Sequence, residues 1–199
     1  MTENRFINPE TIPPQDLPLI VLSDFSSGII QSLIKIRTKG YFSHSMVMHR
    51  PGFFASQGNM FSEAPLGRYT KDGNRLKFFK IIDLTKEERS ILLDKIQKDL
   101  KAHWLRRWYD YPGIIGQALG WRWFNSPFRA FCSERVATWL RTLPRLSYFP
   151  EQPSPEELNR IMKAHPEHFE IYGLWDSDLA FCKEVKDAVS SDSGGFAVA

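Results

Sequence analysis

The stretch PFRAFCSERVATWL, Pro127 to Leu140, places Cys132 where an aromatic-rich run gives way to helical spacing. A thiol is a weak nucleophile until it ionises, and the unpaired N–H groups and the dipole at a helix N-terminus favour the thiolate. Cys132 shares one helical face with Val136 and Leu140, which directs its sulfur to the inner end of a buried helix facing a sheet. Ser133 and Glu134 suit the helix start, since an acid in the first turn complements the dipole. Free cysteines are also among the most buried residues, so Cys132 taken alone reads first as a structural residue. What changes that reading is a base.

Five histidines are available: His44, His49, His103, His165 and His168. His165 and His168 lie in the polar AHPEHF, and His103 follows a charged helical pattern; all three read as surface or capping residues. His44 opens SHSMVM, and strand alternation puts it on the same face as Met46 and Met48, with His49 on the opposite face. A histidine there can take the thiol proton and stand as imidazolium beside a thiolate, the pairing that cysteine hydrolases use. A core histidine satisfied by its neighbours is the competing reading of His44. Cys182, in LAFCKEV, has no base near it in sequence and reads as a packing residue.

These residues need a scaffold, and 199 residues with 42% hydrophobic composition suffice for one domain with its own core. A net charge of +3 spread along the chain neither calls for nucleic acid nor excludes an anionic partner. The N-terminus lacks a basic segment leading into an apolar one, and no run of about eighteen apolar residues occurs, so neither a secretory signal nor a membrane span is expected. Two cysteines fifty positions apart form neither a disulfide framework nor a zinc spacing, which favours a reducing, cytoplasmic setting; no cofactor or metal is expected.

The elements follow from pattern. LPLIVLSDF reads as a buried strand starting near Leu17, after a polar, proline-bearing extension over 1–16. SSGIIQSLIKIRTKG reads as a helix that stops at Gly40. Short apolar segments broken by Pro51-Gly52 and Gly58-Asn59, then RLKFFKII, predict an antiparallel meander with strands near 18–23, 43–49, 52–57, 60–65 and 76–83. Thr85 and Glu88 form a capping box before Leu92, Ile96 and Leu100, predicting a helix over 86–102 on the outside of the sheet. HWLRRWYDYPGIIGQALGWRWFNSPFRAF, dense in aromatics and glycine, reads as packed loop. Ser154-Pro155-Glu156-Glu157 announces a further helix of about ten residues, and SSDSGGFAVA a flexible tail within 184–199. The fold class is α+β, with the Cys132 helix packed on the same inner sheet face as His44.

The order of PLIVLSDFSSGIIQSLIKIRTKGYFSHSMVM, FASQG, RLKFFKI, WYDYPGIIG, FCSERVATW and SPEEL resembles circularly permuted NlpC-like proteins of the papain-type superfamily, which include YiiX-like proteins and, more distantly, the lecithin retinol acyltransferase group. The resemblance spans about Leu17 to Ile171 and implies a permuted NlpC-like domain over 17–183, in which the strand with Ser43-His44 precedes the helix of Phe131-Cys132-Ser133-Glu134. Cys132 matches the family nucleophile and His44 its base. The family orients its histidine by a third polar residue on the following strand, where this chain has FASQGN. Gln57 is the residue expected there, its amide oxygen accepting from the imidazole N–H, with Ser56 and Glu63 as alternatives. Tyr109, with Asp110, matches a family Tyr-Asp and either packs against the cysteine helix or supports an oxyanion.

The resemblance implies a thiol hydrolase of amidase or peptidase type acting on a peptide, a peptidoglycan fragment, or an acylated small molecule or lipid. Two alternatives stand beside it. One is an acyltransferase with the same thioester intermediate, for which Trp104, Trp108, Trp121, Trp123 and Phe124 could line an acyl site. The other is a non-catalytic module, for instance a phage-associated or virion component, that keeps the fold without the carboxylate often found at the third position.

Overall fold

A computed structural model of the chain describes residues 5–24, 40–57, 60–69, 73–103 and 132–177. The helix expected before Gly40, the aromatic run with Tyr109 and the five large aromatics, Cys182 and the C-terminal tail lie outside these residues.

The described residues form an α+β fold. Six antiparallel strands, β1 (Leu19–Ser23), β2 (His44–Arg50), β3 (Phe53–Gln57), β4 (Phe61–Pro65), β5 (Arg75–Ile81) and β6 (Phe169–Asp176), lie in the order β4-β3-β2-β1-β5-β6. The meander β2-β3-β4 follows from its turn dipeptide: Gly52 takes φ +71°, which costs no Cβ clash in glycine. β1 is central and buried along its length, as its uninterrupted apolar sequence requires. The sixth strand was not expected from sequence. FEIYGLWD pairs with β5 and completes the sheet on that side.

Three helices are described: α1 (Lys86–Leu100), α2 (Cys132–Leu140) and α3 (Pro155–Ala164). Both expected capping boxes are present, Thr85 with Glu88 and Ser154 with Glu157, each side chain satisfying the other residue's backbone N–H. The helices share one face of the sheet. Leu92 and Ile96 of α1, Val136, Ala137 and Leu140 of α2, and Leu158 and Met162 of α3 join Ile20, Leu22, Val47, Ala55, Phe61 and Phe79 in one core. The expectation that the 86–102 helix lies outside is therefore corrected: α1 contributes to the same core as the cysteine helix, and Trp139 Nε1 donates to its Asp99 at 2.8 Å.

The opposite face carries a second core of Val21, Met46, Met48, Phe54, Phe78 and Tyr69, covered by Ile12, Leu17 and Leu66. The segment before Leu17 thus packs as part of the fold. Ile7 N–H donates to Leu174 and Leu174 N–H to Arg5, both at 2.9 Å, while Asp16 accepts from Lys80 and from Tyr172. Gly173 permits this approach, because a Cβ there would stand 2.6 Å from Ile7 Cγ2.

A buried lysine sits under α3. Lys77 of β5 donates to Asn159 Oδ1 at 3.2 Å, and loss of hydration, reinforced by the nearby Lys163, lowers its pKa to about 8. A lysine whose folded pKa lies below the unfolded value makes the unfolded chain bind more protons between the two, so stability rises with pH across that interval. Urea unfolding is expected to show stability rising between pH 8 and pH 10.5, by up to about 3 kcal/mol from this residue, and Lys77→Met should remove that rise. An identical pH slope in the parent and the variant would mean that Lys77 is hydrated in the folded state.

Candidate active site

The site lies at the end of the sheet where β2 begins. His44 is the first residue of β2 and Cys132 the first of α2, and antiparallel pairing sets Ser23 of β1 opposite His44 and Leu22 opposite Ser45. Helix α2 is short, and its burial of Val136, Ala137, Trp139 and Leu140 fixes its axis against the sheet. Cys132, at the start of this helix, is only 3% exposed.

Burial pushes the Cys132 thiol up, but the charge of His44 and a hydrogen bond with it, together with hydrogen bonds from the backbone and side chain of Ser45, outweigh burial and hold the thiol below its ordinary value. The structure thus brings Cys132 and His44 into contact. Ser45 contributes a second source of stabilisation. Its hydroxyl is buried with no other hydrogen-bond partner and acts on the sulfur in the direction that favours the thiolate. A buried donor beside a sulfur adds to the preference for the ion, which accepts a hydrogen bond more strongly than the thiol does.

The two residues approach from different faces. His44 shares its face with Met46 and Met48, as alternation predicts, yet that face belongs to the second core. Helix α2 packs on the other face, against Val47 and Ala55, so the expectation that the cysteine helix and His44 share one face is corrected. Contact remains possible because both residues stand at the ends of their elements. Ser45, on the α2 face, lies beneath the same sulfur.

The same alternation decides the neighbour of His44 on β3. Met46 pairs with Ser56, so Ser56 shares the His44 face, and its Oγ lies 2.9 Å from His44 Nε2. Gln57, the expected partner, falls on the opposite face, where its Oε1 accepts from Arg135 Nε at 3.2 Å. The polar neighbour of His44 among these candidates is thus Ser56. Glu63, the other alternative, lies on β4 and pairs with Arg50 and with His49, 3.1 Å away. Burial lowers the His49 pKa more than Glu63 raises it.

Nε2 meets Ser56, so Nδ1 is the other ring nitrogen through which His44 can serve the thiol. Sequence reasoning did not include Tyr69, whose hydroxyl meets Ser56 Oγ at 2.5 Å and whose ring stacks at 19° to that of His44, 6.4 Å between centroids. Nor did it include Ser45, although the SHS triplet carried it. Among the described residues, no group of three or more His, Cys, Asp or Glu side chains is arranged to hold a metal ion. No helix among them is long and apolar enough to cross a membrane.

No protein-family model matches the chain, and no curated protein matches its sequence. The reading of the site therefore rests on its geometry.

Removing the Ser45 hydroxyl is expected to raise the Cys132 pKa without touching His44. Alkylation of Cys132 by iodoacetamide at pH 7 should slow roughly threefold to tenfold in Ser45→Ala, with the difference vanishing at high pH where both forms are ionised. Equal rates at pH 7 would show that the hydroxyl gives the sulfur nothing.

Proposed function

We propose that this protein is a cysteine hydrolase of the amidase or peptidase type, built on a permuted NlpC-like, papain-related arrangement. The observation that carries the proposal is a single contact: a cysteine at a helix N-terminus, hydrogen-bonded to a histidine, its thiol held below the ordinary range in spite of complete burial. Structural cysteines in apolar surroundings are pushed the other way. The order of elements, with the histidine strand before the cysteine helix, is that of the permuted relatives it resembles.

In this reading the Cys132 thiolate attacks a substrate carbonyl carbon, forming a C–S bond while the carbonyl π electrons move to oxygen. Backbone N–H groups at the start of α2 are the donors nearest to that oxyanion. Collapse of the tetrahedral intermediate expels the amine, which takes its proton from His44 Nδ1, and leaves a thioester on Cys132. His44 then removes a proton from water as it adds to the thioester, and the second collapse returns the thiolate and frees the acid. Ser56 holds the ring by Nε2 throughout. A hydroxyl cannot compensate an imidazolium as a carboxylate would, so the ion pair depends more on Ser45 and the helix than it does in sites with an acidic third member.

The substrate class is an amide: a cell-wall peptide, a peptidoglycan fragment, or an acyl amide. An acyltransferase would share the steps up to the thioester and differ only in the acceptor. Incubation with muropeptides and with acyl-lipid amides, with and without primary-alcohol acceptors, separates these. Release of free acid by the parent, reduced at least about a thousandfold in Cys132→Ala and in His44→Ala, is the expected outcome. Acyl transfer to the acceptor in preference to water would assign the transferase, and absence of any acyl-enzyme across the panel by mass spectrometry would assign a non-catalytic module.

A further inference from the structure

Behind His44 lies a buried polar chain that the chemistry above does not use. Ser23 Oγ donates to Asn74 Oδ1 at 2.8 Å, Asn74 Nδ2 donates to the Tyr69 carbonyl at 3.0 Å, and Tyr69 Oη donates to Ser56 Oγ at 2.5 Å. Ser56 Oγ then meets His44 Nε2 at 2.9 Å. Ser23, Asn74, Tyr69 and Ser56 are each at most 5% exposed. A run of buried polar side chains satisfied by one another is costly to leave incomplete and fixes the rotamer of every member.

Ser56 is the weak point of that chain. A serine hydroxyl has three staggered positions and both donates and accepts, so alone it would not select one orientation of an imidazole. Its oxygen has two lone pairs. When the sulfur is a thiolate beside a charged imidazole, both ring nitrogens carry hydrogen, and Nε2–H needs an acceptor. Tyr69 occupies one lone pair of Ser56 Oγ, which leaves the other aimed at Nε2.

We propose that Tyr69 is a positioning residue of the thiol site, fixing Ser56 so that Ser56 accepts from His44 Nε2 and His44 Nδ1 stays directed at Cys132. The inference rests on the cysteine–histidine reading above and extends it by one residue from a different part of the chain. Tyr69 is suited to the role by its anchoring. Its backbone N–H donates to Leu66 at 2.7 Å, its carbonyl is held by Asn74, and its ring packs edge-on against Phe54 at 5.4 Å and parallel to His44. The hydroxyl is thereby set by Leu66, Asn74 and Phe54 rather than by the side chain it orients.

Its chemistry fits as well. Burial raises the phenol's pKa, the Ser56 hydrogen bond and Arg68 act the other way, and the charge on Cys132 raises it further, with a net increase. Tyr69 therefore keeps its proton at neutral pH and remains a donor to Ser56. The charged or titratable groups acting on the Tyr69 phenol are Arg68, the preceding residue, and Cys132 from α2, while His44 of β2 stacks on its ring.

The test is a double-substitution cycle read by the pH profile of Cys132 alkylation, with thermal unfolding as a check that each variant is folded. Tyr69→Phe removes the hydroxyl and keeps the ring. It is expected to slow alkylation at pH 7 roughly fivefold and to shift the profile to higher pH, as loss of an outer partner does elsewhere. The same substitution made in Ser56→Ala should have almost no effect, because the residue it acts through is gone. Asn74→Ala, which frees the Tyr69 backbone and leaves every hydroxyl in place, should shift the profile in the same direction by less. Equal effects of Tyr69→Phe in both backgrounds, or an unchanged profile in a folded Tyr69→Phe, would overturn the proposal. If His44→Ala also leaves the profile unchanged, the failure lies with the cysteine–histidine reading itself.

Discussion

The structure depends on the contact between a buried sulfur and the groups that favour its ionised form. Taking a thiolate out of water is unfavourable, and at 3% exposure Cys132 has almost no solvent to offset the cost. The compensation comes from three directions: the N–H groups of α2, the imidazole of His44 at the start of β2, and the N–H and hydroxyl of Ser45. None of the three is close to Cys132 in sequence except its own helix. The sheet and its register exist, from the site's point of view, to hold the first two residues of β2 against the first residue of a helix 88 positions later.

That requirement explains the division of the core. Val136, Ala137 and Leu140 seat α2 on one face of the sheet, and Trp139 ties it to Asp99 of α1, so the helix start cannot slide relative to β2. The other face carries the Met46, Phe54 and Tyr69 cluster, which supports the back of His44 and holds Ser56. His44 stands at the strand end, where side chains from the two faces can meet. Placed two residues further along β2, a histidine would be sealed beneath the second core, as Met46 is.

Much of this was legible in the sequence. Five strands and both capping boxes follow from alternation and caps, which are local signals, whereas alternation left His44 open as base or core residue and its pairing with Cys132 came from the family resemblance. The strand β6 was not read because Gly173 interrupts its apolar alternation, and the reason for that glycine, the close approach of Ile7, is a contact with the opposite end of the chain. The preference for Gln57 over Ser56 was not a matter of pattern. It rested on the amide oxygen as an acceptor for the imidazole N–H, whereas a strand's two faces are exchanged by a single residue and the one beside His44 is Ser56. Once Met46 is known to pair with Ser56, the alternation that placed His44 beside Met46 also places Ser56 there. Register across strands, and long-range polar contacts such as Tyr69 with Ser56, carry no signal within a window of one sequence.

The central claim is that His44 holds Cys132 as a thiolate near neutral pH. Thiolate absorbance in the ultraviolet, titrated in the folded protein and corrected by subtraction of Cys132→Ser, reports this directly and needs no substrate. The account predicts a midpoint well below the roughly 8.5 of a free thiol, moving up by at least about one pH unit in His44→Gln. A midpoint at or above that of a free thiol, the same with and without His44, would contradict it.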